Sequence, residues 1–182
     1  HKADYKKIFE LPYDSFEEII IKGAAVGFAD VPLCEKEPYI IRYAEMIDNW
    51  AECDCFCSCI KVKKSEADDL LRLAEGLMYR KEEFVSRVGT VLMFSKFSDE
   101  PTVRKALTIY DRLPGGEYYR DMAVAWGISV YCVRYPQLIV KYLEHSPISI
   151  AVKLAAAQKI RDSRRISDEV KHRVTDTVNA QR

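Results

Sequence analysis

The amino-acid sequence predicts an all-α fold of antiparallel helix pairs stacked side by side. Three observations carry this. Apolar residues recur at helical spacing along almost the whole chain, and no segment alternates with period two. Seven glycines and seven prolines in 182 residues are too few for a sandwich or barrel with many tight turns. The apolar stretches are short and closely spaced, which favours hairpins of neighbouring helices.

The elements follow in order. Ser15-Phe16-Glu17-Glu18-Ile19-Ile20-Ile21-Lys22 opens a helix after Asp14, an expected N-cap, and its apolar stripe continues through Ala25, Val26 and Phe28. Pro38 suits a first helical turn, followed by Ile40, Ile41, Tyr43, Ala44, Met46 and Ile47. Asn49 caps the next helix, with Glu52 three residues on, as in a capping box. Ser65 to Asp68 starts another, whose stripe is Leu70, Leu71, Leu73, Ala74 and Leu77. Lys81 to Phe97 reads as a longer helix, and Pro101 starts one that ends before Pro114-Gly115-Gly116. Tyr118 to Val133 is the most apolar. Pro136 to Leu143, Pro147 to Ile160 and Ser167 to Val178 complete about ten helices. Helix pairs of about 40 residues per repeat suggest an α-solenoid of the HEAT or armadillo kind. A compact helical bundle is the alternative.

Charge and composition exclude several classes. There are 28 basic and 28 acidic side chains, so the formal net charge is zero and no strongly basic domain points to nucleic acid. The distribution is uneven, with a net of −6 over residues 1–60, +1 over 61–130 and +5 over 131–182. Only the C-terminal third offers phosphates a favourable field. No apolar run approaches the roughly 18–20 residues that span a bilayer, so no membrane partner is expected. Four of six cysteines form Cys53-x-Cys55-x-Cys57-x-Cys59. That pattern matches neither a disulfide framework nor common zinc-ligand spacing. Reduced thiols filling a core, in a cytoplasmic protein, are the expectation.

Three features stand out for chemistry. Trp50 and Asp54 lie four apart, on one face of a helix. Arg87 follows 37 residues after Trp50, and Trp126 a further 39 on, intervals close to the repeat length. Residues at one place in successive repeats project from one surface of a solenoid. Taken singly, each has an ordinary structural reading. Trp126 sits amid Met, Ala and Val and fits a core. Asp54 fits a carboxylate accepting a backbone N–H. Arg87 fits an interhelical salt bridge. Taken together they suit hydrolysis of a glycosidic bond on a nucleotide with a cationic base. Indoles attract cations and stack on sugars and bases, a carboxylate stabilises an oxocarbenium-like sugar and orients water, and arginine holds phosphate.

At these residues the chain resembles a known family. Asp48-Asn49-Trp50-Ala51-Glu52-Cys53-Asp54 is similar to the Asn-Trp-x-x-x-Asp segment of the AlkD-type DNA alkylation repair proteins. Glu83-Phe84-Val85-Ser86-Arg87 resembles the family's arginine-bearing helix. Tyr118-Tyr119-Arg120-Asp121-Met122-Ala123-Val124-Ala125-Trp126 resembles its Tyr-Tyr-x-x-Met-Ala-x-Ala-Trp helix. Gln158 to Ser167 is similar to a C-terminal segment of one Firmicute-like branch.

The resemblance implies a HEAT-like α-solenoid with a concave DNA-binding face. It implies a glycosylase that excises cationic N3- and N7-alkylated purines from double-stranded DNA, working as a monomer with no metal and no cofactor. Trp50 and Trp126 would pack against the lesion's sugar and backbone. Asp54 would stabilise the oxocarbenium and position water, and Arg87 would contact a phosphate. Lys61, Lys63, Lys64, Arg120, Arg161 and Arg165 would form the wider phosphate surface. A non-catalytic HEAT-like module binding DNA or a protein partner is the alternative. Relatives have helices upstream of the segment matched here. Residues 1–182 are therefore expected to form one solenoid domain that lacks those helices and leaves an apolar flank exposed on its first helix pair.

Overall fold

The computed structural model describes residues 4–181. Among these there are eleven α-helices, one 3-10 turn and no strand. The chain divides into two compact units at Ser95 and Lys96. The first holds α1 (Tyr5–Glu10), α2 (Phe16–Phe28), α3 (Leu33–Met46), α4 (Trp50–Cys59), a 3-10 turn (Lys64–Glu66), α5 (Ala67–Met78) and α6 (Glu83–Lys96). The second holds α7 (Glu100–Tyr110), α8 (Tyr118–Arg134), α9 (Pro136–His145), α10 (Ile150–Asp162) and α11 (Asp168–Asn179).

In the first unit α2 packs on α1, α3 and α4, and α3 also packs on α5. In the second, α8 packs on α9 and α10, and α11 on α9 and α10. Chain neighbours such as α1 and α2 or α10 and α11, and helices two apart such as α2 and α4 or α8 and α10, make the main packing contacts within each unit.

The amphipathic stripes read from sequence are the faces that meet. Val26, Ile40, Tyr43, Phe56, Met78, Val88 and Leu92 are buried in the first unit. Ala123, Ile128, Ile139, Leu143, Ala156, Ile160 and Val174 are buried in the second. Each large side chain so buried contributes about 1.5–3 kcal/mol. Tyr43 and Phe56 bring α3 against α4 with ring centroids 4.2 Å apart. Glycine permits the closest approaches. A Cβ on Gly27 would stand 2.7 Å from Cys59 Cβ, and one on Gly89 would stand 2.6 Å from the Ala74 carbonyl oxygen.

Buried cations close the helix ends, where the last carbonyls lack intrahelical donors. Lys22 donates to the carbonyls of Phe9, at 2.6 Å, and Leu11. Lys36 donates to Ala29 O, at 3.0 Å, and to Lys61 O. Burial pushes the Lys36 ammonium below the usual lysine value. These bonds tie α1 to α2, and the end of α2 to the segment after α4.

Four expectations are corrected. Helix α1 precedes the first helix that the sequence predicts. It spans six residues, too short for a periodic signal, although Asp4 caps it by accepting from Lys6 and Lys7. The cap of α2 is Ser15, not Asp14. Ser15 and Glu18 form a capping box, and Glu18 also accepts the Asp14 N–H at 2.7 Å. Pro38 lies inside α3 rather than in its first turn. The helix begins five residues earlier because Glu66 accepts the Leu33 N–H at 2.7 Å. At α4, Asn49 accepts from Glu52 N at 3.0 Å, but Glu52 reaches back to Asp48 N rather than to Asn49.

Candidate functional site

Helix α4 positions the first two residues. Asn49 sets its start, so Trp50 occupies the first helical position and Asp54 stands one turn on. The face opposite carries Glu52, Cys53 and Phe56 into the core. Trp50 is 59% exposed, an unusual placement for the largest apolar side chain.

Arg87 comes from α6, whose residues from Val85 to Phe94 are all buried. Its Nη2 donates to both oxygens of Asp54, at 2.8 and 3.0 Å. The Arg87 side chain is 5% exposed and that of Asp54 21%. Cys57, one turn beyond Asp54, donates weakly to Val88 O at 3.7 Å and joins the same two helices.

The result is a carboxylate pinned from behind by a buried guanidinium and open on one side, one helical turn from an exposed indole. One nitrogen serves both oxygens, and each oxygen keeps acceptor capacity. The indole face is of a kind that attracts organic cations, while the charge of the carboxylate is already partnered by Arg87. The carboxylate's remaining lone pairs are free to accept a hydrogen bond from water.

The structure therefore brings together Trp50, Asp54 and Arg87. Trp126 lies on α8 of the second unit, half-buried among buried Ala125, Gly127 and Ile128. Its carbonyl accepts from Ser129 Oγ at 2.7 Å. Arg87 makes the interhelical ion pair that its ordinary reading offered, with the second singled-out residue as partner.

The expected phosphate-contacting cations divide. Lys61, Lys63 and Lys64 are exposed after the end of α4, with Lys61 Nζ 4.8 Å from the Phe28 ring centroid. Arg161 and Arg165 are exposed around the α10–α11 turn, where Arg161 donates to Gln158 Oε1. Arg120 is corrected. It is 2% exposed and donates to the Pro114 carbonyl, so its guanidinium closes the turn before α8 and is withheld from any phosphate.

None of the six cysteines is disulfide-bonded. Cys53, Cys57 and Cys132 are buried fillers, whereas Cys34 and Cys55 are exposed. Sequence reasoning did not single out Arg104, Arg134 or Lys141, which line a cleft of about 480 Å³ in the second unit. The positive balance of the C-terminal third was a signal for Arg134 and Lys141 alone, since Arg104 lies outside it. No helix among the described residues is long and apolar enough to cross a membrane. Comparison with protein-family models, curated proteins and solved structures finds no match.

Proposed function

We propose that the chain is a DNA glycosylase that excises cationic N3- or N7-alkylated purines, using Asp54 as its central group. The observation that carries this is the half-open carboxylate of Asp54, fixed by Arg87 and set one turn from the exposed Trp50. A base that is already cationic leaves without a general acid. The chemistry then needs only a negative charge beside the developing oxocarbenium and an oriented water. Asp54 offers both, and Trp50 offers a face for the lesion's sugar or base. The resemblance assigns Trp126 a similar part. The packing of helices on chain neighbours and on helices two apart within each unit is in keeping with the HEAT-like reading.

A second reading, a HEAT-like module that binds DNA or a protein without excising bases, is favoured by the position of Arg87. Its guanidinium faces Asp54 and is buried, where a phosphate contact would need it open. Duplex DNA carrying one 7-methylguanine, incubated with the protein and with its Asp54→Asn variant, separates the two. Abasic sites formed by the first and not by the second support the enzyme. No release from the folded protein, with duplex binding retained, leaves the binding module.

A further inference from the structure

A cleft of about 480 Å³ lies wholly within the second unit. Its walls are the first turns of α7, with Glu100 and Arg104, the end of α8 with Arg134, and the start of α9 from Tyr135 to Lys141. Arg134 is held at the rim, where its Nη1 donates to Ser98 Oγ at 3.1 Å and its guanidinium lies 5.7 Å from the Tyr135 ring centroid. Tyr135 in turn donates its hydroxyl to Ser98 O at 3.0 Å. Arg173 of α11 joins the cleft through Gln137, donating to Oε1 at 2.9 Å.

Glu100 in the wall and Asp99 beside it are both already engaged. Glu100 accepts twice from Arg104, at 2.6 and 2.9 Å. Asp99 accepts from Thr102 N and Oγ1, and these bonds, with a weaker contribution from Arg134, hold its carboxyl below the usual range. Arg134 and Lys141 keep their charge open to the cleft. Both are exposed, and neither is bonded to a carboxylate among the described residues.

We propose that this cleft binds a phosphate group. Arg134 supplies a planar fork that matches two phosphate oxygens, held in place beforehand, and Lys141 supplies a point charge. The surplus of positive charge over residues 131–182 is thereby given a place on the surface. The phosphate is either one from a duplex backbone, which rests on the reading of a DNA-acting protein given above, or a small free phosphate.

The test uses the full chain and its Arg134→Gln/Lys141→Gln double variant. Both substitutions lie on exposed side chains and leave the core intact. Binding to an undamaged duplex is followed by fluorescence anisotropy between about 50 and 200 mM salt. In parallel, inorganic phosphate is titrated while the Arg134 side-chain N–H is followed by NMR. For a backbone phosphate the variant binds duplex on the order of tenfold more weakly, and the slope of log K against log salt falls by about one to two. For a free phosphate the duplex data are unchanged and the Arg134 resonance moves with added phosphate. Unchanged duplex binding together with an unmoved resonance overturns the proposal. No excision is measured, so failure of the glycosylase assay and failure of this cleft are told apart.

Discussion

Arg87 Nη2 donates to both carboxylate oxygens of Asp54, at 2.8 and 3.0 Å, across 33 residues of chain. The two ends of this pair differ in environment, the guanidinium being buried and the carboxylate partly wet. That asymmetry predicts unequal costs of mutation. Asp54→Ala strips a buried guanidinium of its carboxylate and should destabilise the first unit by about 2–3 kcal/mol. This is less than the roughly 3–5 kcal/mol of a fully buried pair, because water reaches this one. Arg87→Met leaves a carboxylate that can turn to solvent and should cost less. Adding Arg87→Met to Asp54→Ala should recover part of the loss. Urea unfolding of the four proteins, read as a double-mutant cycle, should return a coupling of about 1–3 kcal/mol. Additive losses would show that the two groups do not depend on one another.

Two helical glycines should respond in opposite directions. Nothing lies within 4 Å of a Cβ built on Gly76, which is exposed in α5. Gly76→Ala should therefore stabilise by about 0.5–1 kcal/mol, through helix propensity and a less flexible unfolded chain. At Gly89 the same methyl meets backbone atoms of Met78 and Ala74 at 2.5 and 2.6 Å. Gly89→Ala should cost about 1–3 kcal/mol, since α5 and α6 must part to admit it. Thermal melts of the two variants provide the comparison, and equal shifts would contradict the packing of α5 on Gly89.

Glu66 joins the start of α3 to the turn before α5, accepting from Leu33 N and Lys63 N. These two bonds hold its carboxyl below the usual range. A folded-state value below the unfolded one gives stability that is present above about pH 4.3 and lost as pH falls through the lowered value. Glu66→Gln should therefore lower stability at pH 7, and its deficit should shrink as the solution is acidified below about pH 4. Urea midpoints measured from about pH 2.5 to about pH 7 should converge at the acid end; a deficit constant with pH would assign the loss to shape alone.

The cysteines should separate by burial when alkylated. Burial pushes the Cys132 thiol up to about 12. At pH 8 it is thiolate in about one part in ten thousand and is shielded as well. Cys34 and Cys55 are exposed. Brief treatment of the native protein with iodoacetamide, followed by peptide mass spectrometry, should modify Cys34 and Cys55 while sparing Cys132 until the protein is unfolded. Early labelling of Cys132 would show that the core around α8 opens.

Much of the architecture was legible in the chain. The 3.6-residue period, the Asn49 cap and the Pro114-Gly115-Gly116 stop are local signals, and the helices they predict are present. The same period placed Trp50 and Asp54 on one face, because residues four apart in a helix are neighbours whatever else the protein does. Tertiary structure decided the rest. Arg87 and Arg120 look alike as exposed-type cations in apolar helices, yet one reaches Asp54 and the other closes a turn at Pro114. Which carbonyl or carboxylate a long side chain meets depends on the faces that pack together, and the local period does not contain that information. The start of α3 is similar, since its first N–H is met by Glu66 from 33 residues away. Local backbone geometry made the helices. The burial of charge, and so the chemistry available to Asp54, was decided by how they pack.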